Sequence, residues 1–428
     1  MSGMQGAAMK KLLFILLPLL GAAQEGAGLS QLIDHALKHN GQIEAKQITI
    51  QSKDEAIASA KSAYWPTLDV GGSYSVLNPT SIVQPGRTAT VYASVHFDLY
   101  DGGKKAALLR AKKYDKEASF FEKEAFSKSV TLQIVRHYYT LKQLQANLQA
   151  LRERSRELKA QIVRVKRFKH TGLATQEAVD KLQSVYDSNR YMIENVKLGI
   201  ETAKENLKLL SGMDVHSLGN SRFVAPHGIH FEWFDTIKTM RAQAMSAGEN
   251  AKAIDANYMP KIGISDTYHR SNFDDVEALP PLFGAGGSEA FLVDHQNEVK
   301  LVVNMHLFDN GRMKHESEAV RMQKLALLST LAHAKKEQSM YFRLAAKALE
   351  TTRAKIKSAK SARKAAESTY VTIKKKFEAG LVDDIAYLDA LAQRTLAEAR
   401  YKETAYDYEV KKSLYYYYAG KDPREYIR

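Results

Sequence analysis

The sequence predicts an α+β membrane protein in which pairs of strands alternate with very long helices. Three observations predict this class: an export signal at the amino terminus, an internal duplication of nearly the whole chain, and two helical stretches of about 100 Å. The chain has 428 residues, of which 26% are charged, and it contains no cysteine. A disulfide scaffold, a thiolate metal site and a cysteine nucleophile are therefore excluded.

The first residues have the pattern of a secretory signal peptide. Lys10 and Lys11 precede an apolar run over 12–20, and small residues follow it. This run is far shorter than the roughly 20 residues that a membrane-spanning helix requires. We expect cleavage after Ala23, so 1–23 form the signal peptide and the formal net charge falls from +14 to +12 as two lysines are lost. Although a basic chain often binds nucleic acid, export argues against that partner.

The chain contains the same unit twice. The interval from Gly103 to Gly172 is 69 residues, as is that from Gly311 to Gly380, and in each copy another glycine follows 40 residues later. The motif Leu99-Tyr100-Asp101-Gly102-Gly103 recurs as Leu307-Phe308-Asp309-Asn310-Gly311. A unit of this length indicates a duplicated domain, because solenoid repeats are much shorter. We expect a first repeat over 24–212, a linker over 213–234, a second repeat over 235–422 and a tail over 423–428.

Each repeat is predicted to contain two strands with one apolar and one polar face. Apolar and polar residues alternate in these segments, although Asp266 interrupts the third. About ten residues is also the length of a tilted membrane-spanning strand. Glycine and proline indicate exposed loops between the paired strands. The strands are expected over 67–77, 90–99, 261–270 and 298–307.

Helices make up the rest of each repeat. One over 29–63 and its counterpart over 235–257 precede the strands, and each is ended by a Tyr-x-Pro motif. Asp101 and Asp309 are predicted as N-caps of the long helices, because an aspartate accepts hydrogen bonds from the first free backbone N–H groups. Leucine and isoleucine at heptad spacing in the first long helix predict a coiled-coil seam. Glycine at the end of each long helix predicts a left-handed cap and a turn into the returning helix.

No motif of an enzyme or a cofactor site is evident. The sequence has no phosphate-binding loop, no dinucleotide-binding glycine motif, no zinc-protease motif and no nucleophile elbow. We therefore expect no enzymatic activity, no cofactor and no bound metal. His35 and His39 lie four residues apart and could share a metal, but a pair without a third ligand is more typical of a solvated helix face.

Over about 28–422 the chain resembles the TolC family of outer-membrane efflux proteins. The resemblance rests on the signal peptide, the two strand–loop–strand units, the paired aromatic-Asp-(Gly/Asn)-Gly helix starts and the Gly-Leu hairpin turns. It implies a homotrimer whose four strands per chain form a 12-stranded β-barrel in the lipid of the outer membrane, continued by a helical tunnel across the periplasm. The sequence itself indicates only that a monomer is incomplete, because four strands cannot close a barrel and open edges are not tolerated in lipid.

The resemblance also implies a function and partners. The protein would be the passive exit duct of a tripartite efflux or type I secretion system, working with a periplasmic adaptor and an inner-membrane transporter, and not with nucleic acid. Two alternatives remain at this point: a periplasmic coiled-coil adaptor, which would have a single hairpin, and a cytoplasmic coiled-coil protein that binds nucleic acid. The duplication disfavours the first and the signal peptide the second.

Family members contact their adaptor through the hairpin turns and narrow the tunnel there with aspartates. By resemblance, the docking residues are Gly172, Leu173, Thr175, Gly380 and Leu381. Asp389 matches one position of the aspartate ring.

The second ring position is Ala386, and Asp383 and Asp384 could replace the missing carboxylate. A helix N-terminus alone also accounts for these two residues. Phe377 and Val382 occupy positions where the best-known members have a tyrosine and an arginine that close the tunnel, so we expect an apolar constriction at Phe377.

Overall fold

The computed structural model describes residues 27–81, 83–277 and 292–428. The predicted signal peptide and most of the loop predicted between the third and fourth strands lie outside these residues. None of the described helices has an apolar stretch long enough to span a membrane.

The two repeats have the same order of elements. The elements of the first are α1 (Leu29–His39), α2 (Gly41–Ser62), β1 (Thr67–Val76), β2 (Arg87–Tyr100), α3 (Lys104–His170) and α4 (Gln176–Ser211). Those of the second are α5 (Asp235–Asp255), a short 3₁₀ helix (Ala256–Tyr258), β3 (Lys261–Asp274), β4 (His295–Asn304), α6 (Arg312–Glu378) and α7 (Asp384–Tyr418). Helices α3 and α6 each have 67 residues, which confirms the predicted length of about 100 Å.

The helix predicted over 29–63 is wrong in one respect, because it is broken at Asn40. The backbone of Asn40 is extended, and its side-chain oxygen accepts hydrogen bonds from the N–H groups of Gln42 (3.0 Å) and Ile43 (3.3 Å). Asparagine is among the best N-cap residues, so the extended Asn40 ends α1 and caps the start of α2.

The four strands form one antiparallel sheet in the order β1-β2-β3-β4. Among the described residues, β1 and β4 each pair on one side only, so both edges of the sheet are open. Strands β2 and β3 have 14 residues each and are longer than predicted. The pairing joins strands of the two repeats through β2 and β3.

One face of the sheet is apolar and exposed. Leu68 and Val70 on β1 and Leu301 and Val303 on β4 are each roughly two-thirds exposed. Asp266 lies opposite Val95 on one side and Val299 on the other, so it shares this apolar face. The sheet therefore leaves a large apolar surface without a partner inside the chain.

Each long helix starts at an aspartate whose carboxylate accepts two backbone N–H groups. Asp101 accepts from Gly103 (3.0 Å) and Lys105 (2.7 Å). Asp309 makes the equivalent bonds to the second glycine motif, at 3.0 Å and 2.9 Å. The predicted position was wrong by two residues: the N-caps are Gly103 and Gly311, which have positive φ angles of 84° and 80°. This left-handed turn lets the aspartate reach back to the helix.

The core nearest the middle of the helices joins α1, α3, α4 and α7 to the segment 213–234. Tyr138 and Tyr139 are fully buried there, and their hydroxyls donate to the carbonyl oxygens of Gly219 (2.5 Å) and Ser221 (2.9 Å). The predicted heptad seam is confirmed, since most of its members are buried, including Leu141 and Leu158.

Candidate functional site

The two hairpin turns have the same geometry, as the predicted glycine caps require. Gly172 and Gly380 have φ angles of 77° and 73°. The next residue in each turn donates its N–H five residues back: Leu173 to the carbonyl oxygen of Phe168 at 2.8 Å, and Leu381 to that of Lys376 at 2.9 Å. These bonds satisfy carbonyl groups at the helix ends, and the left-handed backbone favours glycine.

The two turns expose apolar side chains. Leu173 is 77% exposed and Leu381 is 73% exposed. In a Schellman turn, the residue after the glycine often packs on the last turn of its own helix. Here neither leucine is covered in this way, so each turn has an exposed apolar side chain, and docking of a partner there stays a prediction.

The first residues of the returning helices are capped by side chains. Thr175 accepts a hydrogen bond from the N–H of Ala178 at 3.2 Å, and Asp383 accepts one from Ala386 at 2.9 Å. Thr175 thus contributes to the shape of the first turn, and Asp383 has the same structural role in the second.

A second hydrophobic core joins the two repeats next to the hairpin turns. Tyr387 is fully buried and Tyr370 nearly so, and both pack with Leu158 and Leu182 of the first repeat. Burial, together with the charge of the neighbouring Glu157, raises the pKa of Tyr370 to about 12. The tyrosines therefore stay neutral and act as packing groups.

Phe377 is part of this core. Its ring stacks on that of Tyr387, with the centroids 4.7 Å apart and the planes inclined by 15°. The Arg164 guanidinium lies over the Phe377 ring, 5.7 Å from the ring centroid. Half-buried inside the chain, Phe377 helps to hold α6 against α7 and α3, while its role as a constriction stays a prediction.

Polar contacts link the two repeats at the same level. Lys374 Nζ and Glu157 Oε2 are 2.9 Å apart, and Lys181 Nζ and Asp384 Oδ2 are 3.4 Å apart. In addition, Arg164 Nη2 donates to the carbonyl oxygen of Glu378 at 2.5 Å. We call these three contacts the inter-repeat clamp. Sequence reasoning missed it, because Glu157 and Lys374 lie 217 positions apart and Lys374 belongs to a run of lysines typical of a solvated face.

Electrostatics favours the charged form of the central pair. Burial raises the pKa of Glu157, but the hydrogen bond and charge of Lys374 outweigh it, so the net pKa lies below the ordinary value. Burial lowers the pKa of Lys374, but the hydrogen bond that Lys374 donates to Glu157 and the charge of that carboxylate outweigh this effect, so the net pKa of Lys374 is above the ordinary value. The pair is therefore ionised at neutral pH.

The three candidate carboxylates of the second turn differ in their surroundings. Asp383 caps α7 and Asp384 pairs with Lys181. Asp389 is exposed and lies two residues from the buried Tyr387, which at about 100° per residue places it on nearly the opposite side of α7. It therefore faces away from the packing of its own chain, and the lining of a tunnel by Asp389 stays a prediction.

His35 and His39 are close together but engaged with the backbone. Their rings stack with the centroids 4.0 Å apart. The Nδ1 atom of His35 is 2.6 Å from the carbonyl oxygen of Ser211, and that of His39 is 3.0 Å from the carbonyl oxygen of His35. Within 27–81, 83–277 and 292–428, no group of three or more side chains could hold a metal.

The duplicated architecture corresponds to a known family. The family model described as outer membrane efflux protein matches residues 32–213 and 235–415, once for each repeat. The chain belongs to the outer membrane efflux protein family. Members of this family are outer-membrane channel proteins and not enzymes, so the chain is located in the outer membrane. A search of curated protein sequences gave no match.

Solved structures support the same fold. A membrane protein from Pseudomonas aeruginosa is 16% identical, with 92% of this chain and 93% of that chain covered and a TM-score of 0.79. The outer membrane protein VceC from Vibrio cholerae is also 16% identical, with 92% and 96% covered and a TM-score of 0.76. The Campylobacter jejuni CmeC outer membrane channel is 16% identical, with 92% and 86% covered and a TM-score of 0.76. Similarity at this level of identity confirms the predicted channel-tunnel fold of this outer membrane efflux protein.

Proposed function

We propose that three copies of this chain form a closed channel across the outer membrane, the passive exit duct of a tripartite efflux or type I secretion system. The observation that carries the proposal is the four-stranded sheet with an exposed apolar face and two open edges. In lipid, unpaired backbone groups at such edges cost several kcal/mol each, so the edges have to be paired by other copies. Twelve strands from three chains satisfy this requirement.

Two hairpins favour a duct over an adaptor. A periplasmic adaptor needs one coiled-coil hairpin, whereas this chain has α3 with α4 and α6 with α7, each attached to two strands of the sheet. The sequence has no phosphate-binding loop, so we assign the energy supply to an inner-membrane transporter. A periplasmic adaptor would connect the two.

The exposed leucines of the turns form the proposed docking surface for the adaptor. Photo-crosslinking from Leu173 or Leu381 in living cells should give an adduct with a membrane-anchored protein that has a coiled-coil hairpin. Leu209 is the matched control, because it is 79% exposed but lies at the opposite end of α4. Equal yields of that adduct from Leu209 would refute docking at the turns, and no adduct from either turn would count against the adaptor.

The entrance of the duct would lie at the same turns. We propose that Asp389 lines the tunnel, that the inter-repeat clamp holds it closed, and that Phe377 supports the clamp through its packing on Tyr387. Carboxylates at a narrow aqueous passage attract cations and repel anions. Movement of α6 and α7 away from α3 would then widen the passage.

A further inference from the structure

A polar cavity lies between the two repeats, on the side of the second core that is farther from the hairpin turns. It has a volume of about 390 Å³ and is lined by residues of α3, α6 and α7. This volume is within the roughly 300–1,000 Å³ of small-molecule sites. Five of its lining side chains are basic: Lys142, Arg154, Arg363, Arg394 and Lys402. We call this space the inter-repeat basic cavity.

Acidic side chains neutralise only part of this charge. Three line the cavity, and two of them are used in ion pairs: Arg394 with Glu367 at 2.6 Å and Arg363 with Glu398 at 3.3 Å. Glu153, the third, accepts a hydrogen bond from the Gln149 amide at 3.3 Å. With five basic and three acidic groups, the cavity has an excess of positive charge.

Arg154 is the least satisfied of the basic groups. Its Nε atom is buried and has no hydrogen-bond partner within the described residues. Burial lowers the pKa of Arg154, and no carboxylate offsets that effect. An arginine nevertheless stays protonated in proteins, so Arg154 is a partly buried charge whose desolvation no carboxylate offsets. Removing even part of a charge from water is unfavourable unless something pairs with it.

Three of the other four cationic groups are held in place around the cavity. Lys142 is only 8% exposed, and its Nζ donates to Asn220 Oδ1 at 2.9 Å. The Arg363 guanidinium lies 4.6 Å from the ring centroid of Tyr401, and that of Arg394 lies 4.7 Å from that of Tyr370. Groups that are already fixed lose little conformational entropy when a ligand binds.

We propose that the inter-repeat basic cavity binds a small soluble dianion of the phosphate type. The planar guanidinium fork matches the geometry of such an oxyanion and can donate two parallel hydrogen bonds. A lipid headgroup is a poor candidate, because Arg154 is 50 residues along α3 from Lys104, about 75 Å from the end next to the sheet. The ligand would contact α3, α6 and α7 together and so tie the repeats to each other.

Isothermal titration of the purified full-length protein with inorganic phosphate, against sodium chloride at matched ionic strength, tests the proposal. Phosphate should bind saturably and raise the melting temperature, while chloride should do neither. Arg154→Gln should weaken phosphate binding by about tenfold or more, since hydrogen bonds to charged groups contribute about 1.5–3 kcal/mol. Arg156→Gln removes the same charge from an exposed position of α3 and should change affinity by less than about twofold.

Other outcomes would overturn the assignment. No saturable binding to the folded wild-type protein would refute it, as would equal losses in the Arg154 and Arg156 variants. Displacement of phosphate by anionic phospholipid in mixed micelles would identify a headgroup as the ligand and contradict the soluble dianion. If Arg154→Gln does not fold, Lys402→Gln removes a charge from the other side of the same cavity and should show the same loss. Binding to the chain does not depend on export, so its failure leaves the proposed duct intact.

Discussion

Glu157 on α3 and Lys374 on α6 form the ion pair at the centre of the inter-repeat clamp, with their charged atoms 2.9 Å apart. We expect that Glu157→Gln loosens the clamp and raises the fraction of time that the channel is open. The substitution keeps the size of the side chain and removes its charge. Lys374 then remains between the repeats without a counter-ion, which is the unfavourable part of the change.

The size of the effect follows from the exposure of the pair. The side chains of Lys374 and Glu157 are 31% and 28% exposed, which lies between the surface and the buried case. Exposed pairs contribute about 0–1 kcal/mol, while breaking a buried pair costs about 3–5 kcal/mol. We therefore expect Glu157→Gln to destabilise the state with joined repeats by about 1–2 kcal/mol, which shifts the equilibrium roughly 5- to 30-fold toward separated repeats.

Single-channel recording in planar bilayers measures this equilibrium as the open fraction. Glu157→Gln, Lys374→Gln and the double variant form a mutant cycle, in which the double variant should open about as much as either single one. Glu350→Gln is the matched control, because Glu350 pairs with Lys347 at 2.8 Å on the same long helix but both side chains are at least 70% exposed. That variant should stay within about twofold of wild type.

The clamp should also have a defined pH range. The pKa of Glu157 is lowered, so its contribution is present above the ordinary value of 4.5 and is lost as the pH falls below it. The pKa of Lys374 is raised, so its contribution persists up to the ordinary value of 10.5 and is lost only above it. The open fraction should therefore rise in acid and be flat near neutrality. Fully additive effects in the mutant cycle, with no acid response, would refute the clamp.

Three further changes have distinct expected outcomes. Gly380→Val should reduce export and adaptor crosslinking, because the left-handed backbone of Gly380 penalises a side chain by about 1–2 kcal/mol. Membrane insertion should continue, since the space around Gly380 is open. Normal export by this variant would contradict the prediction. Asp389→Ala should lower cation selectivity and weaken block by multivalent cations in low salt, with a smaller difference in 1 M salt, where the Debye length is about 3 Å; a larger effect of Asp383→Ala would show that Asp389 is the wrong residue. Asp101→Ala should lower the free energy of unfolding by about 1 kcal/mol in thermal melts, since it removes the two hydrogen bonds that the carboxylate accepts at the start of α3. An unchanged melting temperature would argue against their contribution.

Local signals predicted most of the fold. Residues that are close in the sequence determine the alternation in β1 and β4 and the heptads of α3. The duplication also means that each element of one repeat is predicted again by its counterpart in the other. The break at Asn40 was missed because helical residues continue on both sides of it, and only its extended backbone and its side-chain cap show that the helix is interrupted. The N-caps were assigned two positions too early, at Asp101 and Asp309, since a left-handed glycine occupies the N-cap position of each long helix.

The candidate site was predicted less completely. Its turns follow from glycine, so their backbone geometry could be read from the sequence. The inter-repeat clamp could not, because it joins side chains such as Glu157 and Lys374 that meet only after both hairpins have formed. The apolar character of Phe377 indicated burial but did not identify Tyr387 as its partner.

The mass of the detergent-extracted complex is the most direct test of the central claim, that the open-edged sheet is completed by other copies. Sedimentation equilibrium with correction for bound detergent should give three times the mass of the mature chain. Circular dichroism of the same sample should show that the strands are present. A stable monomer with its full strand content would contradict the account, because the edges of β1 and β4 would then persist without partners.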